Sequence, residues 1–228
     1  MKYIYDDNIG YVDYIQHTGE DLTIVNAARV STGKKSEKMN ERDEKLLNFL
    51  IKSGHTSTCE HNFLTVQCKV PLFVAKQHMR HRTGSYNEIS RRYTSENIEF
   101  YIPQNLRLQD VKNRQATLDV ETNPILASTG KTAIDSLRDV CDNANKLYEE
   151  MIAQGVGREL ARMVLPTNTY TSYWATMNLH NWMGFISKRD HEDAQPEIRK
   201  VAEAVSEIIK DIWPLAHEAY VKNGKIKG

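Results

Sequence analysis

Leu64-Thr65-Val66-Gln67-Cys68-Lys69-Val70-Pro71 alternates apolar and polar side chains up to a proline. Successive strand side chains point to opposite faces, so the alternation predicts a strand that buries Leu64, Val66, Cys68 and Val70 on one side. Pro71 ends it, and Leu72–Met79 can start a helix. Upstream, Glu41–Ser53 sets Leu46, Leu47, Leu50 and Ile51 on one helical face, and Gly54 supplies a left-handed cap that delivers His55 into a loop. Before that, Tyr11–Ile15 is rich in strand formers, and Glu20–Val30 reads as a short helix with Thr18 as its cap and Asp21 in its first turn. Downstream, Ile134, Leu137, Cys141, Ala144, Tyr148 and Met151 recur at helical spacing, making Lys131–Gln154 the longest expected helix, closed by Gly155. Arg158–Val164 is a further helix stopping before Pro166. Tyr170–Ala175 is aromatic and threonine-rich, as strands are, and Ile198, Val201, Val205, Ile208 and Ile212 mark a final helix reaching Trp213 before Pro214. Gly33–Lys38 and Asp110–Pro124 lack periodicity and read as loops. The pattern is helix-rich α+β, its strands few and non-adjacent.

The chain has 228 residues, which suits a single domain with a sizeable core, and its 30 acidic and 30 basic side chains cancel. No global field therefore draws it onto nucleic acid or an anionic membrane, and an anion site has to come from a local cluster of cations. Cys59, Cys68 and Cys141 are too few and scattered for a disulfide framework and form no CxxC pair, which suits a reducing, cytoplasmic setting. Two aspartates interrupt the opening MKYIYDDNIGYVDY, and no apolar run approaches the roughly 20 residues of a membrane span. A soluble, unprocessed protein is expected.

The densest polar stretch is Arg80-His81-Arg82-Thr83-Gly84-Ser85-Tyr86-Asn87-Glu88-Ile89-Ser90-Arg91-Arg92-Tyr93, with four arginines in thirteen residues. A guanidinium is a planar fork of donors that matches phosphate oxygens in pairs, so a phosphate-bearing ligand is the first reading. The bland alternative is a solvated, salt-bridged surface segment, nearly neutral in energy. Asn87, Glu88 and Ser90, embedded among the arginines, weigh toward a site.

Arginine-histidine-arginine, seven residues, then serine resembles the signature of the flavin-dependent thymidylate synthases, filled here by Arg80, His81, Arg82 and Ser90. The likeness extends to Gly54-His55-Thr56-Ser57-Thr58-Cys59-Glu60-His61, Pro71-Leu72-Phe73-Val74-Ala75-Lys76-Gln77, Arg158-Glu159-Leu160-Ala161-Arg162-Met163-Val164-Leu165-Pro166, Asn178-Leu179-His180-Asn181 and Arg189. It implies a single domain over residues 1–228, α+β with a central, mainly antiparallel sheet packed with helices. It also implies a homotetramer whose active sites draw on several subunits. The implied reaction methylates dUMP to dTMP, with 5,10-methylenetetrahydrofolate as carbon donor and FAD, reduced by NADPH, as hydride source.

By the same resemblance, Arg80, His81 and Arg82 meet the flavin phosphates, with Ser57 beside them from another subunit. Glu88, Asn178 and His180 match further flavin positions, and His55 one close to the flavin ring and the folate. Gln77, Arg80, Glu88, Ser90, Arg92 and Arg162 match dUMP contacts, and Arg91 lies among them. Arg189 matches the catalytic arginine that meets the pyrimidine, where a permanent positive charge stabilises negative charge developing on the ring. Ser90 is assigned to binding rather than nucleophilic attack, because its sequence neighbours Ile89 and Arg91 offer no base; no protein nucleophile is expected.

The sequence departs from the common family pattern at four positions. His180 stands where arginine is frequent, Gly184 where asparagine or histidine is, Asp193 where histidine is, and Arg91 where glycine is usual. Gly184 cannot offer a side-chain contact, whereas His180 can still donate. Two rivals remain open. His78 and His81, with His55 and His61 nearby in sequence, could be ligands in a metal hydrolase, although His61 reads as a hydrogen-bonded interior histidine and no metal is expected. Arg91, Arg92, Tyr93 and the aromatic Tyr170–Trp174 could bind single-stranded nucleic acid, against which the zero net charge weighs. Trp174, Trp182 and Trp213 are expected in the core, and Lys222–Lys227 as a frayed basic tail.

Overall fold

The structure, a computed structural model, describes residues 1–94, 98–114 and 116–227. The alternating segment becomes β3 in a five-stranded sheet built from β1 (Lys2–Tyr3), β2 (Tyr11–Thr18), β3 (Phe63–Pro71), β4 (Ser85–Glu88) and β7 (Tyr170–Asn178). Their order is β1-β2-β3-β7-β4, and every pairing is antiparallel. β5 (Leu106–Gln109) and β6 (Thr117–Thr122) form a separate two-stranded sheet. The helices are α1 (Asp21–Arg29), α2 (Glu41–Lys52), α3 (Leu72–His78), α4 (Ala133–Ala153), α5 (Arg158–Ala161), α6 (Leu179–Arg189), α7 (Pro196–Ile212) and α8 (Pro214–Lys222). The architecture is thus a single α+β domain around a mainly antiparallel sheet.

β3 lies at the centre, and its register against β7 sets Leu64 opposite Met177, Val66 opposite Ala175 and Cys68 opposite Tyr173. These six side chains are buried in one core with Val74 of α3, Trp182 and Phe185 of α6, Val201 and Val205 of α7 and Trp213. Full burial of a side chain of this size contributes about 1.5–3 kcal/mol. The opposite side of these strands carries Gln67, Lys69, Ser172 and Thr176.

Several expectations change. Trp174 is not a core residue: period-two geometry puts it on the opposite face from Tyr173 and Ala175, where it is 49% exposed, whereas Trp182 and Trp213 are buried as expected. Asp110–Pro124 is not wholly loop, since Thr117–Thr122 pairs with Leu106–Gln109; Gln115 in that stretch lies outside the described residues. Nor are strands few and non-adjacent, because seven occur among the described residues and β1–β2 and β5–β6 pair as chain neighbours.

Thr18 ends β2 rather than capping α1. The Glu20 N–H instead donates to the Thr23 hydroxyl at 2.9 Å, one half of a capping box. Asp21 does more than sit in a first turn, because its carboxylate accepts from the Leu215 and Ala216 N–H groups at 3.0 and 2.9 Å. It thereby caps α8, which Pro214 starts where the final helix was expected to end. The tail is docked rather than frayed, with Ile226 buried and Gly224 turning at φ +64°. His61 is exposed at the end of a 3-10 turn, Thr56–His61. Interior histidines are instead His217 and His78, the latter stacked on Phe185 at 4.5 Å and hydrogen-bonded through Nδ1 to the Tyr173 hydroxyl at 2.8 Å.

Candidate active site

α3 leaves the centre of the sheet directly from Pro71, packs Val74, Ala75 and His78 inward, and delivers Gln77 and the Arg80-His81-Arg82 turn at its end. The turn is fastened by His81 N–H to the His78 carbonyl at 3.0 Å and by Gly84 N–H to the His81 carbonyl at 3.2 Å. The Tyr86 hydroxyl lies 3.1 Å from the His78 carbonyl and 3.0 Å from that of His81, so its single proton serves both. Burial pushes the Tyr86 phenol up, which keeps it a donor. Glycine is required at 84, because a Cβ there would stand 2.7 Å from Met177 Cε and 2.9 Å from the Tyr86 oxygen.

The last residue of α6 completes this cluster. Arg189 Nε donates to His81 Nε2 at 3.2 Å, and Nη2 donates to the Gln77 carbonyl at 3.2 Å. Burial and then the neighbouring Arg80 charge pull the Arg189 guanidinium below its ordinary value. His81 packs edge-on against Phe185 at 5.0 Å. Burial, followed by the charges of Arg189 and Lys188, lowers it to about 4, so it is neutral near pH 7. Since Nε2 accepts from Arg189, the ring proton belongs on Nδ1. Gln77, Arg80, His81 and Arg189 are thus brought together.

Of the arginines elsewhere, Arg29 meets Asp43, Arg107 meets Glu197 and Arg138 meets Asp135, while Arg42, Arg114, Arg158 and Arg199 meet no carboxylate within 4.0 Å among the described residues. Among the described residues Arg80, Arg82, Arg92, Arg162 and Arg189 have no carboxylate within 4.0 Å. Guanidiniums left without counter-charge are the donor set of an anion site.

The other expected site residues fall into two further groups. His55 and Ser57 lie on the turn beside the start of α6; His55 packs edge-on against Phe49 at 5.9 Å. There Leu179 N–H bonds the Asn62 carbonyl at 2.8 Å, and Asn178 caps the helix by accepting from Asn181 N–H at 2.9 Å. His180 is half-buried on the same helix, one turn from Gly184, where a Cβ would meet nothing within 4 Å. The third group follows edge strand β4. Glu88 accepts from the Thr171 hydroxyl at 2.5 Å, and Ser90 Oγ accepts the Arg92 N–H at 3.3 Å with no base beside it among the described residues. Arg91 reaches the Tyr170 carbonyl at 3.5 Å and lines a cavity of about 360 Å³ with Lys69, Glu99 and Ser172. The Arg92 guanidinium lies 5.8 Å from the Tyr93 ring centre, and Arg162 Nε donates to the Glu159 carbonyl at 3.3 Å. Asp193 accepts from Asn113 at 3.1 Å.

These features fit a flavin dinucleotide. Arg80 and Arg82 are exposed without counter-charge, and His81 is neutral between them. Among the described residues no three His, Cys, Asp or Glu side chains gather to hold an ion, and His78 faces the core.

The family described as "Thymidylate synthase complementing protein" matches residues 13–215. The flavin-dependent thymidylate synthase of Thermosipho africanus is 38% identical over 93% of this chain and 91% of its own length. That of Thermus thermophilus is 40% identical over 92% and 75%. The chain belongs to the flavin-dependent thymidylate synthase family. Among solved structures, the UMP/dUMP methylase PolB of Streptomyces cacaoi bound with 5-Br dUMP superposes with a TM-score of 0.83 at 30% identity, over 96% of this chain and 97% of that one. Its complex with 5-Br UMP gives 0.82 and 29%, over 96% of each chain. The activity of the family is the flavin-dependent methylation of dUMP to dTMP.

Sequence reasoning missed Phe185, Tyr86 and Gln195, which shape the cluster. Phe185 could have been found four residues before Arg189 on the same helical face. Tyr86 and Gln195 act across a turn and across 118 positions, for which periodicity carries no signal.

Proposed function

We propose that this chain makes dTMP from dUMP with 5,10-methylenetetrahydrofolate as the carbon donor and FAD reduced by NADPH, in a homotetramer that shares its active sites. The bound flavin supplies the hydride. The observation that carries the reading is the convergence of Gln77, Arg80, His81 and Arg189 at the junction of α3 and α6, with the guanidiniums free of carboxylates.

Arg80 and Arg82 grip the flavin diphosphate from either side of a neutral His81, whose Nδ1–H adds a donor without like-charge repulsion. Ser57, Asn178 and His180 hold the rest of the flavin, and His55 stands near its ring. Gln77, Glu88, Ser90, Arg91, Arg92 and Arg162 bind dUMP, the arginines at its phosphate. Arg189, fastened by two hydrogen bonds, holds a fixed positive charge against the pyrimidine as its carbon becomes nucleophilic. Ser90 donates to the nucleotide and performs no attack. The setting proposed is the cytoplasm; among the described residues no helix is long and apolar enough to cross a membrane.

The test is a visible spectrum of the purified protein, followed anaerobically by NADPH with and without dUMP, and then by the folate. Flavin bands that bleach faster with dUMP, and dTMP as product, are expected. UMP in place of dUMP serves as the comparison. A protein that takes up no FAD, or that reduces it without forming dTMP, overturns the proposal.

A further inference from the structure

We infer that Gln195 is a positioning residue for dUMP, acting through the side chain of Gln77; the inference rests on the reading of Gln77 as a substrate contact. Gln77 Nε2 donates to Gln195 Oε1 at 2.6 Å, joining the end of α3 to the residue that opens α7. Gln195 is itself held. It precedes Pro196, which favours the extended backbone observed, φ −55° and ψ 131°. Arg199, one turn into α7, donates to the carbonyls of Glu192 and Ala194 at 2.7 and 3.0 Å and so pins the segment leading into Gln195. Glu197 accepts two hydrogen bonds from Arg107 of β5, at 2.8 and 3.0 Å, which ties the start of α7 to the small sheet.

The main chain of Gln77 is fixed separately, since its carbonyl accepts from Arg189 at 3.2 Å. Without Gln195 the long side chain would rotate freely and would have to be ordered when dUMP arrives. With it, one amide N–H is engaged, leaving the carbonyl oxygen and the other N–H in place for the nucleotide. The Arg189 and Gln195 bonds therefore hold Gln77 at both ends.

The test is calorimetric binding of dUMP to the FAD-loaded protein. Gln195→Leu, which cannot accept, is expected to weaken dUMP about three- to tenfold, the effect of leaving one rotamer-rich side chain to be ordered on binding. KM should rise more than kcat falls, with the flavin-to-protein ratio and Tm of the parent. Gln195→Glu, which keeps an acceptor oxygen, should recover most of the affinity. In a Gln77→Leu background, Gln195→Leu should add nothing. Additive losses in the double variant, or a Gln195→Leu protein that loses flavin and Tm without a dUMP-specific change, would overturn the inference and leave Gln77 as a substrate contact. Unchanged dUMP affinity in Gln77→Leu alone would instead overturn the reading of Gln77, and the inference with it.

Discussion

Arg189 makes two hydrogen bonds in different directions from one planar group, to an imidazole nitrogen and to a backbone carbonyl. Lysine has the charge without the fork, so Arg189→Lys should bind FAD normally and lose on the order of 10²–10³ in kcat, the loss typical of a missing preorganised donor; single-turnover flavin oxidation with dUMP and folate measures it. The histidines beneath it set a pH dependence. Burial holds His78 at about 3 and His81 at about 4, against an ordinary 6.5. Between 6.5 and those values the unfolded chain binds protons that the native one does not, so stability is full above pH 6.5 and falls as pH is lowered toward 4, His78 contributing at most about 1.4 kcal/mol per pH unit. Urea midpoints across that range should show the decline, and His81→Gln should make it shallower. The roles proposed for Arg80, His81 and Arg189 rest on residue types that match a family signature, and the structure brings the three together. The hydrogen bond joining His81 to Arg189 was not legible in the sequence, since it needs the fold to bring 81 and 189 together.

α3, its turn and β4 act as one device that carries the arginines from the sheet centre to its edge. Gly84→Ala drives a Cβ against Met177 and Tyr86. The methionine can swing aside and the rigid tyrosine cannot, so about 1–3 kcal/mol of stability should be lost, the usual cost of overpacking. The damage falls on the Tyr86 clamp, so FAD affinity should fall with Tm, as flavin release on dilution would register; Tyr86→Phe should reproduce the loss of affinity with less loss of Tm. Elements whose pattern is set locally were readable: the β3 alternation, the α2 face closed by Gly54, and the long α4. β4 was missed because an edge strand of four polar-rich residues, Ser85–Glu88, has no apolar face to alternate. β6 was missed although Leu118 and Val120 do alternate with polar residues, because both are largely exposed and the stretch resembles a loop in composition. α8 was missed because Pro214 was read only as a stop, when proline also opens helices and Asp21, distant in sequence, supplies the cap.

Apart from the group along β4, the residues proposed for flavin and substrate lie toward the two ends of one helix. Ser57, Asn178 and His180 gather where α6 starts, and Gln77, His81 and Arg189 where it ends. Eleven residues of α helix span roughly 16 Å. Ser57 lies at the far end from the Arg80-His81-Arg82 turn that is proposed to hold the same cofactor, and an assembly that sets the Ser57 end of one chain beside the Arg189 end of another removes the difficulty. If sites are shared in this way, two inactive variants should complement each other. Ser57→Trp blocks the flavin edge and Arg189→Ala removes the charge at the pyrimidine, so each alone should be nearly inactive. After unfolding and refolding as an equal mixture, a site built from the Arg189→Ala chain's Ser57 end and the Ser57→Trp chain's Arg189 end is intact, and random assembly into a symmetric oligomer makes about a quarter of the sites so. Recovery of roughly that share of parental dTMP synthesis, in a species that light scattering measures at four chains, is the expected result. Activity that stays at the level of the separate variants, in mixtures shown by mass to contain both chains, would mean that each subunit builds its site alone.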